Sequence, residues 1–189
     1  MAARRVAEFE REFEVEVSWW PFELHPETPS QGRSLDGLVS RRGPEYAEHL
    51  KAYAEEAGIT LKSNRWLSNS HRCLELAEFA RDRGAFGPVH DALFAAYFEE
   101  GRDIGDVDVL CDIATAHGLD AAEFKVELMV GRYAALIDET TAIARKKGVQ
   151  STPTIIIDDR FVITGAQDAN VYADVLRRMG AEPRHPGII

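Results

Sequence analysis

The sequence holds two cysteines, Cys73 and Cys111, and no Cys-x-x-Cys pair. That spacing lets one thiolate attack a disulfide while its neighbour resolves the mixed disulfide. The chain as written therefore cannot run dithiol chemistry by itself, and no catalytic residue is expected in it. Cys73 and Cys111 fall within apolar stripes of different helical segments, where free cysteine packs as a small hydrophobe. Two cysteines are too few for a disulfide framework, and these two are too far apart for a zinc knuckle. The six histidines show no His-x-x-x-His or His-plus-carboxylate spacing, so no metal site is expected. Glu55-Glu56 and Glu99-Glu100 read as solvated helix faces. Trp19, Trp20 and Trp66 read as core and groove lining.

The sharpest local signal is Gly148-Val149-Gln150-Ser151-Thr152-Pro153-Thr154-Ile155-Ile156. A proline directly before an apolar strand has no N–H to give the ladder and restricts the residue ahead of it. A cis Thr152–Pro153 bond would turn the chain sharply into the strand, whereas a trans proline would simply open it. A second candidate is Asn69-Ser70, either of which can cap the helix that follows.

Stepping outward, residues 2–13 carry Val6, Phe9 and Phe13 at helical spacing. Residues 14–19 then alternate apolar and polar, as a strand with one buried face does. Pro21, Pro26 and Pro29 lead into a loop. Helices are expected over residues 44–58 and from Asn69-Ser70 to about Arg83. Others start near Pro88, near Asp106 and at Asp120-Ala121-Ala122-Glu123, a capping-box pattern. The last of the block carries Tyr133, Leu136, Ile137, Thr140 and Ile143 and stops at Gly148. The whole block, residues 30–148, is expected to be helical. Thr154-Ile155-Ile156-Ile157 is a continuous apolar run, expected to be a strand buried on both faces. Asp158-Asp159 turns it into a second strand, Phe161-Val162-Ile163-Thr164. A last helix, capped by Asp168, would face Val171, Val175, Leu176 and Met179 inward. The tail after Gly180 is expected to fray. The order is that of an α/β protein carrying a helical insertion.

The composition sets outer bounds. A net charge of −10 repels phosphate backbones and anionic lipid, which argues against nucleic acid and membrane surfaces as partners. Arg4 and Arg5 are followed by no apolar run, so no signal peptide is expected, and no stretch is apolar enough to span a bilayer. A cytoplasmic setting is expected.

A helix, Val-x-x-Thr-Pro-Thr, a hairpin, Gly-Ala-Gln and a final helix together resemble the carboxy-terminal half of a thioredoxin fold. Trp19-Trp20-Pro21-Phe22-Glu23-Leu24, Asn69-Ser70, the run from Ala96-Tyr97-Phe98 to Ile104-Gly105-Asp106, and Gly165-Ala166-Gln167 resemble the DsbA family. Within it, the FrnE-like branch of dithiol–disulfide isomerases is the nearest match, over about residues 1–180. The resemblance implies a discontinuous thioredoxin-like domain at residues 1–29 and 149–181. It also implies an all-helical insertion at 30–148 and a tail at 182–189. It implies thiol–disulfide exchange as the lineage's chemistry, with extended peptides or protein disulfides as substrates. Pro153 is expected to be cis, Thr152 and Pro153 would orient the substrate through β-augmentation, and Trp19, Asn69 and Ser70 would line its groove. No cofactor is implied. Glutathione is a possible co-substrate, because kappa-class glutathione transferases and hydroxychromene-carboxylate isomerases carry a similar Asn-Ser element. A glutathione-dependent transferase or isomerase, and a peptide-binding module without redox turnover, are thus alternative functions.

The sequence departs from the family at its start. Relatives begin with a strand ending in Cys-Pro-x-Cys, and this chain begins inside the helix that follows, about twenty residues later. The strand is central in a thioredoxin fold. Without it, residues 14–19 and 154–157 would stand about 9–10 Å apart across a gap. A start assigned too late, a fragment, direct pairing of the flanking strands, or a strand lent by a dimer partner would each account for this.

Overall fold

The structure, a computed structural model, describes residues 2–35, 62, 66–165 and 167–184, with backbone alone at 2–5. The helix expected at 44–58 lies outside the described residues. The chain forms two units: residues 1–20 with 147–189, and residues 21–146. The second therefore takes in 21–29, which the sequence reading placed in the discontinuous domain.

The first unit is an α/β layer. Helix Ala2–Glu12 buries Phe9 and, just past its end, Phe13. Strands Thr154–Ile157 and Phe161–Thr164 pair antiparallel, with Ile155 opposite Ile163 and Ile157 opposite Phe161. Asp158 and Asp159 both sit at positive φ, and Arg160 N–H closes the turn on Ile157 O at 3.0 Å. That geometry matches the right-handed twist of the flanking strands. Helix Ala169–Arg178 closes the layer, and Phe9, Phe13, Ile163, Tyr172, Ala173 and Leu176 form its core. Of these, Phe9, Phe13, Ile163 and Leu176 each contribute about 1.5–3 kcal/mol by leaving water.

Four expectations need correction here. Among the described residues, 14–19 form no ladder, and the nearest bridge lies just before them, between Phe13 and Pro183. The alternation survives all the same: Val15, Val17 and Trp19 are half-buried between exposed Glu14, Glu16 and Ser18. Alternation records which face is covered, and a strand also needs a bonded neighbour. Second, strand Thr154–Ile157 is not buried on both faces. Ile155 and Ile157 pack on the core, while Ile156 is 37 % exposed and its cross-strand partner Val162 57 %. Among the described residues, Phe161–Thr164 is the only strand paired with it. Third, Val171 is exposed, and the inner stripe of the last helix is Tyr172, Ala173 and Leu176. Fourth, the tail up to Arg184 is tied down. Glu14 N–H donates to Glu182 O, Arg184 N–H to Glu12 O and Arg184 Nε to Phe13 O, at 2.8–2.9 Å. Carbonyls at the end of a helix lack internal donors, and the tail supplies them.

The second unit is mainly helical, with helices His71–Arg81, Phe86–Phe94, Val107–Ala116, Ala121–Val130 and Ala134–Lys146. It is not helical throughout, because Arg33–Ser34 pairs antiparallel with Trp66–Leu67. Gly32 permits this pair. Its φ is +75°, and a Cβ there would collide with the Trp66 indole and Leu67 O. Helix Phe86–Phe94 widens into a π-helix, Ala95–Glu100, that stops at left-handed Gly101. Asp106 and Asp120 cap the next two helices through their side chains. Glu123, the far half of the expected capping box, ion-pairs with Arg83. The core gathers Leu76, Phe79, Val89, Leu110, Phe124 and Tyr133 with Cys73 and Cys111.

The unit also clasps its own two ends. Thr140 Oγ1 donates to Pro21 O at 2.9 Å, and Glu23 N–H donates to Thr141 Oγ1 at 3.0 Å. Arg145 donates to Leu24 O at 3.1 Å. Thr140 and Thr141 are consecutive and both buried, and their hydroxyls reach positions 21 and 23 of the same arriving segment.

Candidate functional site

In the first unit the loop before strand Thr154–Ile157 is held from both sides. Pro153 O accepts from Gly165 N–H at 2.8 Å, and Thr154 Oγ1 donates to Ser151 O at 2.7 Å. The Thr152–Pro153 peptide bond is cis. Thr152 is exposed and Pro153 half-buried. Among the described residues no hydrogen bond engages the Thr152 backbone.

Behind the loop, Tyr172 is 2 % exposed and stacks its ring at 5.0 Å from Phe9. Its hydroxyl donates to Gly165 O at 3.3 Å and accepts from Gln167 N–H at 3.2 Å. Gln167 Nε2 donates to Thr164 O at 3.0 Å. The Gly-x-Gln element is thus a fixed corner, anchored by one buried hydroxyl and bonded directly to Pro153. Trp19 belongs to the same unit and is half-buried. Tyr172 was missed in the sequence, and its signal was a hydroxyl-bearing aromatic one turn into a helix whose neighbours are apolar.

Asn69 and Ser70 lie in the helical unit, so the site residues inferred from the sequence divide between the two units. Asn69 does the capping work: its Oδ1 accepts from His71 N–H at 3.0 Å, and its Nδ2 donates to Thr28 O at 2.7 Å. Ser70 occupies the N-cap position without a side-chain cap bond.

The surroundings of both cysteines disfavour the thiolate. Cys73 is 6 % exposed, donates to Ser70 O at 3.1 Å, and has its thiol pushed up to about 12 by burial and then by the charge of Glu23. Cys111 is also buried, and burial raises its thiol. Thiolate formation needs the opposite surroundings.

The helical unit also assembles a polar cluster that the sequence reading passed over. Glu23, from the Trp-Trp-Pro-Phe-Glu-Leu run, is 4 % exposed and holds His71 Nδ1 at 3.0 Å. His71 Nε2 stands 3.9 Å from Glu75 Oε1, one helical turn on. Glu75 is 4 % exposed, and burial pushes its carboxyl up. The statement that no histidine has a carboxylate at metal-ligand spacing therefore fails at His71 and Glu75. The signal was available: a glutamate inside an apolar motif, and a histidine and glutamate at i and i+4.

Comparison with known proteins bears on these arrangements. A family model described as a DSBA-like thioredoxin domain matches residues 1–177. The uncharacterised protein YwbO of Bacillus subtilis is 31 % identical over 166 residues, covering 84 % of this chain and 80 % of that protein. The crystal structure of a probable DsbA oxidoreductase from Streptomyces coelicolor superposes with a TM-score of 0.83. It covers 100 % of this chain and 86 % of the other, at 24 % identity. The fold is that of a thioredoxin-like protein with a helical insertion.

Proposed function

Because this chain belongs to the DSBA-like thioredoxin family, we propose that it binds extended, cysteine-containing peptides of the kind used in thiol–disulfide exchange. Residues 151–154 are the binding loop, and the 189 residues present act without catalysing the exchange themselves. The observation that carries the reading is the exposed Thr152 with an unengaged backbone, next to a Pro153 fixed to Gly165. A peptide strand laid beside Thr152 would bond through its main chain, and side-chain pockets would add selectivity. The buried, proton-retaining Cys73 and Cys111 support the absence of turnover. The motifs at 19–24, 69–70, 96–106 and 165–167 support the FrnE-like branch as the finer affiliation.

Glutathione is a second ligand on this reading, being a short thiol peptide. Ser70 favours it, because its hydroxyl is not spent on the helix cap. A dimer is compatible with strand Thr154–Ile157 having one paired neighbour among the described residues.

The test is a pair of assays on the full chain. Insulin reduction should proceed at the uncatalysed rate, while a fluorescent cysteine-containing peptide should bind and be weakened by Pro153→Ala. Catalysed reduction that disappears in Cys73→Ala would overturn the reading, as would peptide affinity indifferent to Pro153.

A further inference from the structure

In the helical unit a ring nitrogen of His71 and carboxylate oxygens of Glu23 and Asp138 lie within 4.8 Å of one another. Three side chains of ligating type from three separate chain segments converge: residue 23 before the helices, residue 71 at the start of one helix, residue 138 within another. Charge alone would not make this a site, since acidic groups often gather in water. Two further facts set it apart.

The first is Glu75. It is 4 % exposed, and its Oε2 is fully enclosed without a hydrogen-bond partner. Its other oxygen is turned toward His71 Nε2 at 3.9 Å. A buried carboxylate oxygen with nothing to accept from is costly, and native proteins seldom leave one so. The second is the charge balance. Three carboxylates stand around one imidazole, while the Arg72 guanidinium donates to Gly105 O at 3.3 Å and that of Arg145 to Leu24 O at 3.1 Å, both backbone carbonyls.

We propose that Glu23, His71 and Asp138 bind a divalent first-row cation, with Glu75 facing the far side of the His71 ring. The donor set is mixed imidazole and carboxylate, with no sulfur, and suits Mn²⁺ or Zn²⁺. Neutral His71 offers Nδ1 to the ion, which keeps its proton on Nε2 facing Glu75, the usual arrangement that fixes ring orientation. Holding that proton on Nε2 gives the enclosed Glu75 carboxylate a donor, and the ion offsets the negative charge of Glu23 and Asp138. It would also join the arriving segment at Glu23 to two helices of the same unit, so binding and the packing of that unit are coupled.

The test uses the full chain, stripped by chelator and dialysed against Zn²⁺, with bound metal measured by elemental analysis. One equivalent should be retained. Asp138→Asn, an exposed position whose change spares the core, should weaken retention about tenfold or more. Glu75→Gln should do the same. X-ray absorption of the loaded protein should show nitrogen and oxygen ligands only. Failure to retain zinc would overturn the proposal, as would retention equal to wild type in both variants or a sulfur-ligated spectrum. None of these outcomes depends on peptide binding.

Discussion

Tyr172 and Gly165 are joined through the tyrosine hydroxyl at 3.3 Å, and that hydroxyl also accepts from the N–H of Gln167. One buried oxygen therefore sets the corner that holds Pro153. Tyr172→Phe keeps the ring contact with Phe9 and removes only the oxygen. It should destabilise the protein by about 1–3 kcal/mol, the cost of stranding enclosed backbone groups. Urea denaturation with an unchanged m-value would measure it, and peptide affinity should fall with it.

The thiols should be inert until the fold opens. Cys73 and Cys111 are buried, and the Cys73 thiol is pushed up to about 12. A disulfide-exchange reagent should label neither within minutes at pH 8 and both at once in denaturant. Rapid labelling of native Cys73 would contradict the placement described above.

His90 should make stability depend on pH. It stacks between Phe86 and Phe94, at 5.3 and 4.8 Å, and burial lowers its pKa, against the opposing pull of Asp91. The folded state thus prefers the neutral ring, and the unfolded chain takes up a proton first. The contribution is complete above the ordinary value near 6.5 and is lost as pH falls from there toward the folded pKa. His90→Gln should flatten the change in unfolding free energy between pH 7.5 and 5, read from denaturation curves.

Gly32→Ala should cost about 1–3 kcal/mol, from the positive φ and the Trp66 indole together. The same substitution at Gly84 also meets a positive φ but has nothing within 4 Å. The difference between the two variants in thermal melts isolates the tryptophan contact.

Local patterns in the sequence were read well wherever one segment decided the outcome. Asp106 and Asp120 cap their helices because a side-chain oxygen needs only the next two or three N–H groups. Asp158-Asp159 turns because both aspartates tolerate positive φ. What was missed depends on partners distant in the chain. Residues 14–19 have the alternation of a strand, but pairing is decided elsewhere. Arg184 looked like frayed tail because the carbonyl of Phe13, its acceptor, is 171 positions away. Glu23 met His71 across 48 positions. In the candidate loop, the cis bond before Pro153 was legible from the Thr-Pro-Thr context. Tyr172 was not, since its role is fixed by where its hydroxyl lands.

The clasp formed by Thr140, Thr141 and Arg145 on residues 21–24 has a consequence for the order of folding. For the first unit, Phe13 and Ile163 are separated by the whole helical unit, a long loop to close by diffusion. Once the helical unit has folded and fastened its ends, that loop shrinks to a short hinge, and the pairing becomes local in effect. Folding should therefore proceed from the inside outward, with the inserted unit ordered before the segments that flank it. Pulse-labelled hydrogen exchange checks this: amides of residues 71–146 should gain protection before those of 154–178. Loosening the clasp with Thr141→Val should slow the second phase and leave the first unchanged.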